Sequence, residues 1–209
     1  MSNSQNAAIK LVVLISGSGS NLAAILAHIK SGRLNAQILG VISNRSDAYG
    51  LTIAEQAGLP HHVYRGRDYS NTPSFEAAIA KQIDTYQPDL IVLAGFMKIL
   101  SAEFVTHFFP RIINIHPSLL PKFKGLNTHQ RVLNEGEKEH GATVHVVTPD
   151  LDSGPIIAQS RVEVKDNDDT QSLASRVLEA EHDLYSEAIT RIIDGRFSLA
   201  RIFHEGGPV

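Results

Sequence analysis

Short apolar runs alternate with amphipathic segments along the first half of this chain, and this alternation is the feature that most restricts its fold. The segments 9–15, 36–42 and 89–94 are apolar enough to be strands buried on both faces, and a segment with apolar residues at helical spacing follows each of them. Such an order of strands and helices predicts a mainly parallel twisted sheet with helices on both faces. We therefore expect an α/β fold of the Rossmann-like kind.

Further elements complete this pattern. Two shorter strands, 61–64 and 111–115, belong to the same series. Amphipathic periodicity predicts five helices, with Thr72 capping the third of them. They cover residues 21–30, 49–57, 73–86, 102–108 and 170–194. The strands predicted at 143–147 and 156–164 are separated by a loop rich in Pro, Asp and Gly, which indicates a late antiparallel pair and not a crossover connection.

Composition and length narrow the class of protein. The chain has 209 residues, 43% of them apolar, which is enough for one domain with a continuous core. We expect a single domain over residues 1–209 whose polar start, residues 1–8, is disordered or frayed and lacks a secretory signal. A net charge of −3 gives no attraction to nucleic acid or to an anionic membrane, and the absence of cysteine excludes disulfides and thiolate metal sites. A cytoplasmic location is the resulting expectation.

A polar pair lies at the end of the strand predicted at 111–115. Residues 114–121 read Asn-Ile-His-Pro-Ser-Leu-Leu-Pro. Side chains two apart on a strand point to the same side, and the two prolines stiffen the exit from the strand. Asn114 and His116 are therefore our first candidates for a catalytic pair. The alternatives are a buried structural histidine and an asparagine that caps the strand end.

A turn of glycine and serine joins the first strand to the first helix. Residues 16–21 read Ser-Gly-Ser-Gly-Ser-Asn. Backbone N–H groups that converge in such a turn, together with the partial positive charge of a helix N-terminus, favour anion binding. The dinucleotide fingerprint fails because Leu22 occupies the position of its third glycine, and the Walker pattern fails as well. The turn therefore suits a phosphomonoester, the alternative being a plain turn in which Ser20 or Asn21 caps the helix.

The loop between the two late strands is acidic. Residues 148–155 read Thr-Pro-Asp-Leu-Asp-Ser-Gly-Pro, a composition that by itself favours a turn. A carboxylate beside an imidazole orients the ring or keeps it protonated, so Asp152 is a candidate partner of His116. Asp152 is the better candidate than Asp150, because the Gly-Pro pair fixes the backbone just beyond it.

Together these segments resemble the phosphoribosylglycinamide formyltransferases, a family of the purine pathway. The residues that carry the resemblance lie in the family's order along nearly the whole chain. They are residues 15–22, 93–100, 113–121, 140–145 and 151–155. The motif Asn-x-His-Pro-Ser-Leu-Leu-Pro with the later Leu-Asp-x-Gly is specific for folate-dependent formyl transfer, but by itself it does not select the acceptor.

The resemblance implies a role for each segment. The catalytic trio of the family is matched by Asn114, His116 and Asp152. Residues of the turn and of the long helix would contact the ribotide: Gly19, Ser20, Asn21 and Glu181. Two loop segments and the strand end would border the folate through Met97, Lys98, Ile99, Leu100, Asn114, Asp150, Leu151 and Asp152. The resemblance implies no metal.

The resemblance also implies the reaction. The formyl group of 10-formyltetrahydrofolate, the co-substrate, would pass to the amine of glycinamide ribonucleotide. Asn114 and His116 would stabilise the oxyanion of a tetrahedral intermediate, and Asp152 would assist proton transfer. The turn and the chain length favour this acceptor over a tRNA, since the similar tRNA formyltransferases are longer and carry an RNA-binding domain. We expect these two small molecules as partners, neither nucleic acid nor membrane, and a monomer or weak homodimer.

Three positions depart from the family's pattern. Lys98 stands where many relatives have arginine, Thr72 where some have it, and Asn127 where the residue is often histidine. Contacts made by the backbone at position 98 survive the change to lysine, whereas bidentate side-chain contacts do not. Arg65 and Arg67 lie near Thr72 in sequence without aligning to the arginine of relatives, so the sequence leaves open whether Thr72 or a nearby arginine replaces that contact.

Other functions fit parts of the sequence. The same trio could hydrolyse 10-formyltetrahydrofolate if water reached the formyl carbon. A metal-dependent hydrolase could use His129, His140 and His145 with two members of the trio, although no His-Glu-x-x-His spacing supports it. A non-catalytic nucleotide-binding module would need only the turn. We expect His145 to be structural or to support the site, and His61, His62 and His129 to be surface or loop residues.

Overall fold

The computed structural model describes residues 7–204, without the side chains of the last two, so the disorder expected of residues 1–6 lies outside the described residues. The strands are β1 Ile9–Ile15, β2 Ala36–Ser43, β3 His61–Val63, β4 Leu90–Leu93, β5 Ile112–His116, β6 Glu139–Val146 and β7 Ile156–Glu163. The helices are α1 Ser20–Lys30, α2 Tyr49–Gln56, α3 Thr72–Tyr86, α4 Ala102–Phe108, α5 Thr128–Asn134, α6 Thr170–Ile193 and α7 Leu199–His204. A single 3-10 turn, Gly66–Asp68, precedes α3.

The strands form one seven-stranded sheet in the order β3-β2-β1-β4-β5-β6-β7. The pairs from β3 to β5 are parallel, as expected where helices connect consecutive strands. The pairs β5–β6 and β6–β7 are antiparallel. The α/β fold with a late antiparallel pair, predicted from the sequence, is thereby confirmed. β6 begins at Glu139, earlier than predicted, and pairs with β7 from that residue onwards.

Strand β1 shows why the sheet needs helices on both faces. Its residues Leu11, Val13 and Ile15 are fully buried in a cluster with α1 and α6. The intervening Val12 and Leu14 are equally buried in a second cluster with α3 and α4. Side chains alternate between the faces of a strand, so a continuous apolar run is stable only where both faces are covered. Burying each such side chain contributes roughly 1.5–3 kcal/mol.

Helix α6 holds the ends of the two central strands together. Its fully buried Tyr185 donates a hydrogen bond from the hydroxyl to the carbonyl oxygen of Leu93, at 2.9 Å, and approaches that of Ile113 at 3.2 Å. The helix begins with a capping box between Asp169 and Ser172. Tyr185 therefore joins the last residue of β4 to the residue of β5 that directly precedes the candidate catalytic Asn114.

Two short helices and one helix start differ from the prediction. Neither α5 nor α7 is predicted from the sequence. Helix α5 buries only two residues, whereas α4, which has the same length and is predicted, buries three. The cap of α3 is Asn71 and not Thr72, since the Asn71 side chain accepts the N–H of Ser74 in a capping box. Within residues 7–204, no helix has both the length and the apolar composition needed to cross a membrane.

Candidate active site

A cavity lies where the strand order of the sheet reverses. Chain connections leave β1 towards β2 on one side and reach β4 on the other, so a crevice opens at the carboxyl ends of β1 and β4. The cavity there has a volume of about 360 Å³. Its walls are the turn after β1, the segment after β4, one residue after β2 and one face of α6. The lining residues are Ser16, Gly17, Ser18, Gly19, Ser20, Asn21, Arg45, Ala94, Gly95, Met97, Leu178 and Glu181.

The turn after β1 is pressed against the start of α2. Gly19 has a φ of 73°, and a Cβ at this position would lie 2.5 Å from the Cα of Gly50. The N–H of Gly50 donates to the carbonyl oxygen of Gly17 at 3.1 Å. Gly19 is also the N-cap of α1 and supplies no side-chain acceptor, so the alternative in which Ser20 or Asn21 caps the helix is wrong. No side chain caps the N-terminus of α1, so its N–H groups and partial positive charge are available to an anion in the cavity.

Asn21 and Glu181 form a buried polar pair in the cavity wall. The Asn21 Nδ2 donates to Glu181 Oε2 at 2.9 Å, although 160 residues separate them in sequence. Asn21 Oδ1 is buried and has no hydrogen-bond partner among the described residues. Burial raises the pKa of the Glu181 carboxyl, while the Asn21 hydrogen bond lowers it. The pair offers acceptor oxygens, which suits the hydroxyl and amine groups of an aminosugar derivative.

His116 and Asp152 come together at the end of β5. His116 Nδ1 lies 3.4 Å from Asp152 Oδ2, and both side chains are buried. The other ring nitrogen, Nε2, lies 2.9 Å from the carbonyl oxygen of Phe123. Asp152 Oδ2 also accepts the N–H of Gly125 at 2.9 Å. The structure thus places the predicted acid beside the predicted imidazole and fixes the ring through both of its nitrogens.

Asn114 is connected to this pair by its contact with His145. The two residues lie opposite each other on β5 and β6, and Asn114 Nδ2 is 3.3 Å from His145 Nε2. His145 Nδ1 lies 2.9 Å from the carbonyl oxygen of Val146, so we assign the proton to Nδ1 and the acceptor role to Nε2. Burial lowers the pKa of His145, which favours this neutral form. One N–H of the Asn114 amide is thereby oriented, and the second remains for a ligand.

The acidic loop is folded back onto β6. Asp152 has a φ of 47°, in the left-handed region. A Cβ at Gly154 would lie 1.8 Å from the carbonyl oxygen of Val146, so only glycine permits this approach. The N–H of Val146 donates to the carbonyl oxygen of Pro155 at 2.9 Å. This folding buries Asp152 against the imidazoles, while Asp150 and Leu151 stay at the exposed edge.

The segment 97–100, predicted to border the folate, contains both exposed and buried apolar side chains. Met97 and Ile99 are each 77% exposed, which is unusual for large apolar side chains and leaves them free to cover an aromatic ligand. Leu100 is buried, and Lys98 Nζ lies 4.9 Å from the centre of the Phe75 ring. The N–H of Met97 donates to Ser16 Oγ at 2.7 Å, so this backbone group is already engaged.

The structure adds two cavity residues that the sequence analysis missed. Arg45 follows β2 and Leu178 lies on α6, and both line the cavity. The guanidinium of Arg45 makes two hydrogen bonds to Asp47, at 3.0 and 2.7 Å. A basic residue after a strand next to the reversal point is the signal that could have identified Arg45. Leu178 has no comparable signal, because it belongs to a long amphipathic helix.

A histidine pair lies behind the trio. His129 is on α5 and half-buried, so its assignment to a surface or loop is wrong. Its Nδ1 lies 3.0 Å from Nε2 of the buried His140. Burial, followed by the charges of the neighbouring histidines, lowers the pKa of His140 to about 4. Among residues 7–204, no three or more His, Asp and Glu side chains are grouped as a metal site would require.

Comparison with known proteins places the chain in a family. The formyl transferase family profile matches residues 9–189. Phosphoribosylglycinamide formyltransferase of Escherichia coli is 44% identical over 90% of this chain and 89% of its own length. The structure of the Coxiella burnetii protein of that name is 50% identical, with a TM-score of 0.86 over 90% of this chain and 88% of the other. A formyltetrahydrofolate deformylase structure from Pseudomonas putida is 30% identical, with a TM-score of 0.84 over 94% of this chain and 69% of its own. This chain belongs to the formyl transferase family.

Proposed function

We propose that this protein transfers the formyl group of 10-formyltetrahydrofolate to the amine of glycinamide ribonucleotide. The products would be formylglycinamide ribonucleotide and tetrahydrofolate, a step of de novo purine biosynthesis. Relatives that match at least 90% of the chain carry the name of this activity. The observation that carries the proposal is the convergence of Asn114, His116 and Asp152: Asp152 lies 3.4 Å from His116 and 3.8 Å from His145, and His145 contacts Asn114. The proposal keeps the cytoplasmic location and the monomer or weak homodimer expected from the sequence.

The cavity at the reversal point is the proposed ribotide site. The turn containing Gly19 and Ser20 would bind the phosphate with backbone N–H groups and the positive end of α1. Asn21 and Glu181 would accept hydrogen bonds from the sugar or the glycinamide part. Support comes from the unpartnered Asn21 Oδ1, a buried polar atom that a ligand hydroxyl or amine could satisfy.

The folate would lie across the ends of β4 and β5. Leu93 and Asn114 are register partners on these strands, and the segment 97–100 follows Leu93 after three residues. The exposed side chains of Met97 and Ile99 would cover the pterin on one side. The loop that carries Asp150, Leu151 and Asp152 would border it on the other. This arrangement would present the formyl carbon between the trio and the ribotide amine.

The chemistry needs an oxyanion site and a route for one proton. The amine nitrogen attacks the formyl carbon, the carbonyl oxygen becomes anionic, and the bond to N10 breaks when N10 takes the proton that the amine gives up. The free N–H of Asn114 would donate to the oxyanion, a contribution of about 10²–10³ in rate. His116 would add a second donor once its Nε2 exchanges the carbonyl of Phe123 for the substrate oxygen. Asp152 would carry the proton, directly or through water, for about 10²–10⁴ more.

Hydrolysis of 10-formyltetrahydrofolate by the same trio is the competing function. The hydrolytic relative of known structure is more distant, at 30% identity, than the transferases at 44% and 50%. A hydrolase also has no use for a cavity with a phosphate-type turn. The two functions differ in whether an amine or water reaches the formyl carbon.

The test is an assay that follows both substrates. The purified protein is incubated with 10-formyltetrahydrofolate, with and without glycinamide ribonucleotide, and the products are separated by mass. Formylated ribotide that forms with equal consumption of folate supports the proposal. Formate released at the same rate in both mixtures would establish the hydrolase instead. His116→Ala is expected to lower transfer by several powers of ten while ribotide binding stays nearly intact.

A further inference from the structure

Arg45 gives the ribotide cavity a positive charge. Among the described residues that line the cavity it is the single basic one, and Glu181 is the single acidic one. Helix α6 contributes a carboxylate and the apolar Leu178, and the turn contributes only neutral groups. We infer that the guanidinium of Arg45 binds the phosphate of the ribotide and sets the preference for a phosphorylated acceptor. This inference rests on the proposed function and adds a residue to its binding site.

The backbone of Arg45 is held beside the phosphate-type turn. Ser43 clamps it from both sides, because its hydroxyl accepts the N–H of Arg45 at 3.1 Å and donates to the Arg45 carbonyl at 2.8 Å. The preceding residue, Asn44, accepts a hydrogen bond from Ser16 Oγ at 2.6 Å. Ser16 is the first residue of the turn. The Cα of Arg45 is therefore fixed relative to the turn by two independent sets of contacts.

The side chain of Arg45, in contrast, is free to change partner. Its present partner is Asp47, and the two side chains are 59% and 68% exposed. An exposed ion pair of this kind is weak, because water and salt screen it. A phosphate carries up to two negative charges and offers the planar guanidinium a bidentate acceptor. The phosphate would therefore replace Asp47, which keeps the guanidinium at the cavity mouth until then.

The cavity needs such a cation for an electrostatic reason. The buried Glu181 faces the same space, and its negative form repels a phosphate. Converging N–H groups carry only partial charges. The full positive charge of Arg45 would attract the phosphate, while Glu181 would attract the amine of the same ligand. The ligand class follows: a sugar phosphate with a basic or hydroxyl-bearing group at its other end.

The test compares three variants with the wild type. Arg45→Ala removes the cation, Arg45→Lys keeps a charge without the bidentate fork, and Asp47→Ala frees the guanidinium. The matched control is Arg196→Ala, since Arg196 also pairs with an aspartate two residues away, at 2.8 Å, on an exposed surface outside the cavity. The measurements are the KM and kcat for glycinamide ribonucleotide, and its Kd by calorimetry, at low and high ionic strength. The same set is repeated with the nucleoside that lacks the phosphate.

Arg45→Ala is expected to raise the ribotide KM and Kd about 10- to 100-fold, with kcat and the folate KM unchanged. Arg45→Lys should lie between this variant and the wild type, and the other two variants should bind ribotide no more weakly than the wild type. The loss should vanish with the nucleoside, and the salt dependence of binding should weaken. A ribotide Kd unchanged in Arg45→Ala, or an equal loss with the nucleoside, would overturn the inference. The Kd can be measured without turnover. A wild type that binds ribotide without transferring formyl would therefore refute the proposed function, while the role of Arg45 in phosphate binding could still be tested.

Discussion

The pair of Asn114 and His145 gives the sharpest test of the proposed oxyanion site. We expect Asn114→Ala to lower kcat about 10²–10³-fold with little change in the folate KM, because the amide acts on the developing oxyanion. His145 would orient that amide through the 3.3 Å contact between Nδ2 and Nε2, whereas Asp152 Oδ1 lies beyond hydrogen-bond distance of the same Nε2, at 3.8 Å. A hydrogen bond between neutral groups contributes about 0.5–1.5 kcal/mol, which corresponds to roughly 2- to 10-fold in kcat. That factor is the expected cost of His145→Leu, which places an apolar side chain at a buried position.

A double-mutant cycle separates this orienting role from a general effect on the fold. In the Asn114→Ala background, His145→Leu should cost nothing further, because the amide that it orients is already gone. His145→Gln should recover part of the lost kcat, since its carbonyl oxygen can accept the same N–H. The assay is steady-state formyl transfer, with thermal unfolding of each variant as the control. If His145→Leu lowers kcat by the same factor in both backgrounds, the reasoning is refuted.

Three further predictions concern stability and binding. Tyr185→Phe removes a hydroxyl that donates to the carbonyl oxygen of Leu93 and lies near that of Ile113. The free energy of unfolding should fall by about 1–3 kcal/mol, seen by calorimetry as a Tm lower by several degrees. Glu181→Gln should raise the ribotide KM and leave the folate KM unchanged, because the carboxylate paired with Asn21 faces only the ribotide cavity. The depressed pKa of His140 means that the unfolded chain binds its proton first, so stability should fall as the pH drops from 6.5 to about 4. The loss is at most about 3 kcal/mol, and His140→Gln, which keeps a polar partner for His129, should flatten this slope in denaturant titrations.

Most strands and helices can be predicted from the sequence, because burial selects apolar residues at positions that follow the period of the strand or helix. Residues 11–15 and 90–94 are apolar throughout, and the structure buries every one of them. The short helix α5 has no such apolar pattern, since only two of its seven residues are buried, Thr128 and Val132. The cap of α3 was misplaced by one residue, because Asn71 and Thr72 are both good capping residues and only the backbone conformation decides between them.

Only part of the candidate site can be predicted from the sequence, because some of its contacts depend on how distant segments pair. The trio was found because its residues belong to motifs, but the contact of Asn114 with His145 depends on the register of two antiparallel strands. A shift of one residue would move His145 to the other face of the sheet, and sequence does not fix that shift. The bond between Asn21 and Glu181 joins positions 160 residues apart and likewise has no local sign. Such contacts follow from the assembled fold.

Helix α6 relates the two halves of the proposed site. Glu181 and Tyr185 are four residues apart and therefore lie on one face of the helix, one turn from each other. Glu181 holds Asn21 in the wall of the proposed ribotide cavity, while Tyr185 joins the end of β4 to Ile113, the residue before Asn114. In the proposed site, one turn of this helix would therefore set the distance between the ribotide amine and the oxyanion donor. A transferase needs this constancy more than a hydrolase does, because water reaches a formyl carbon from many directions, whereas an amine fixed to a bound phosphate reaches it from one.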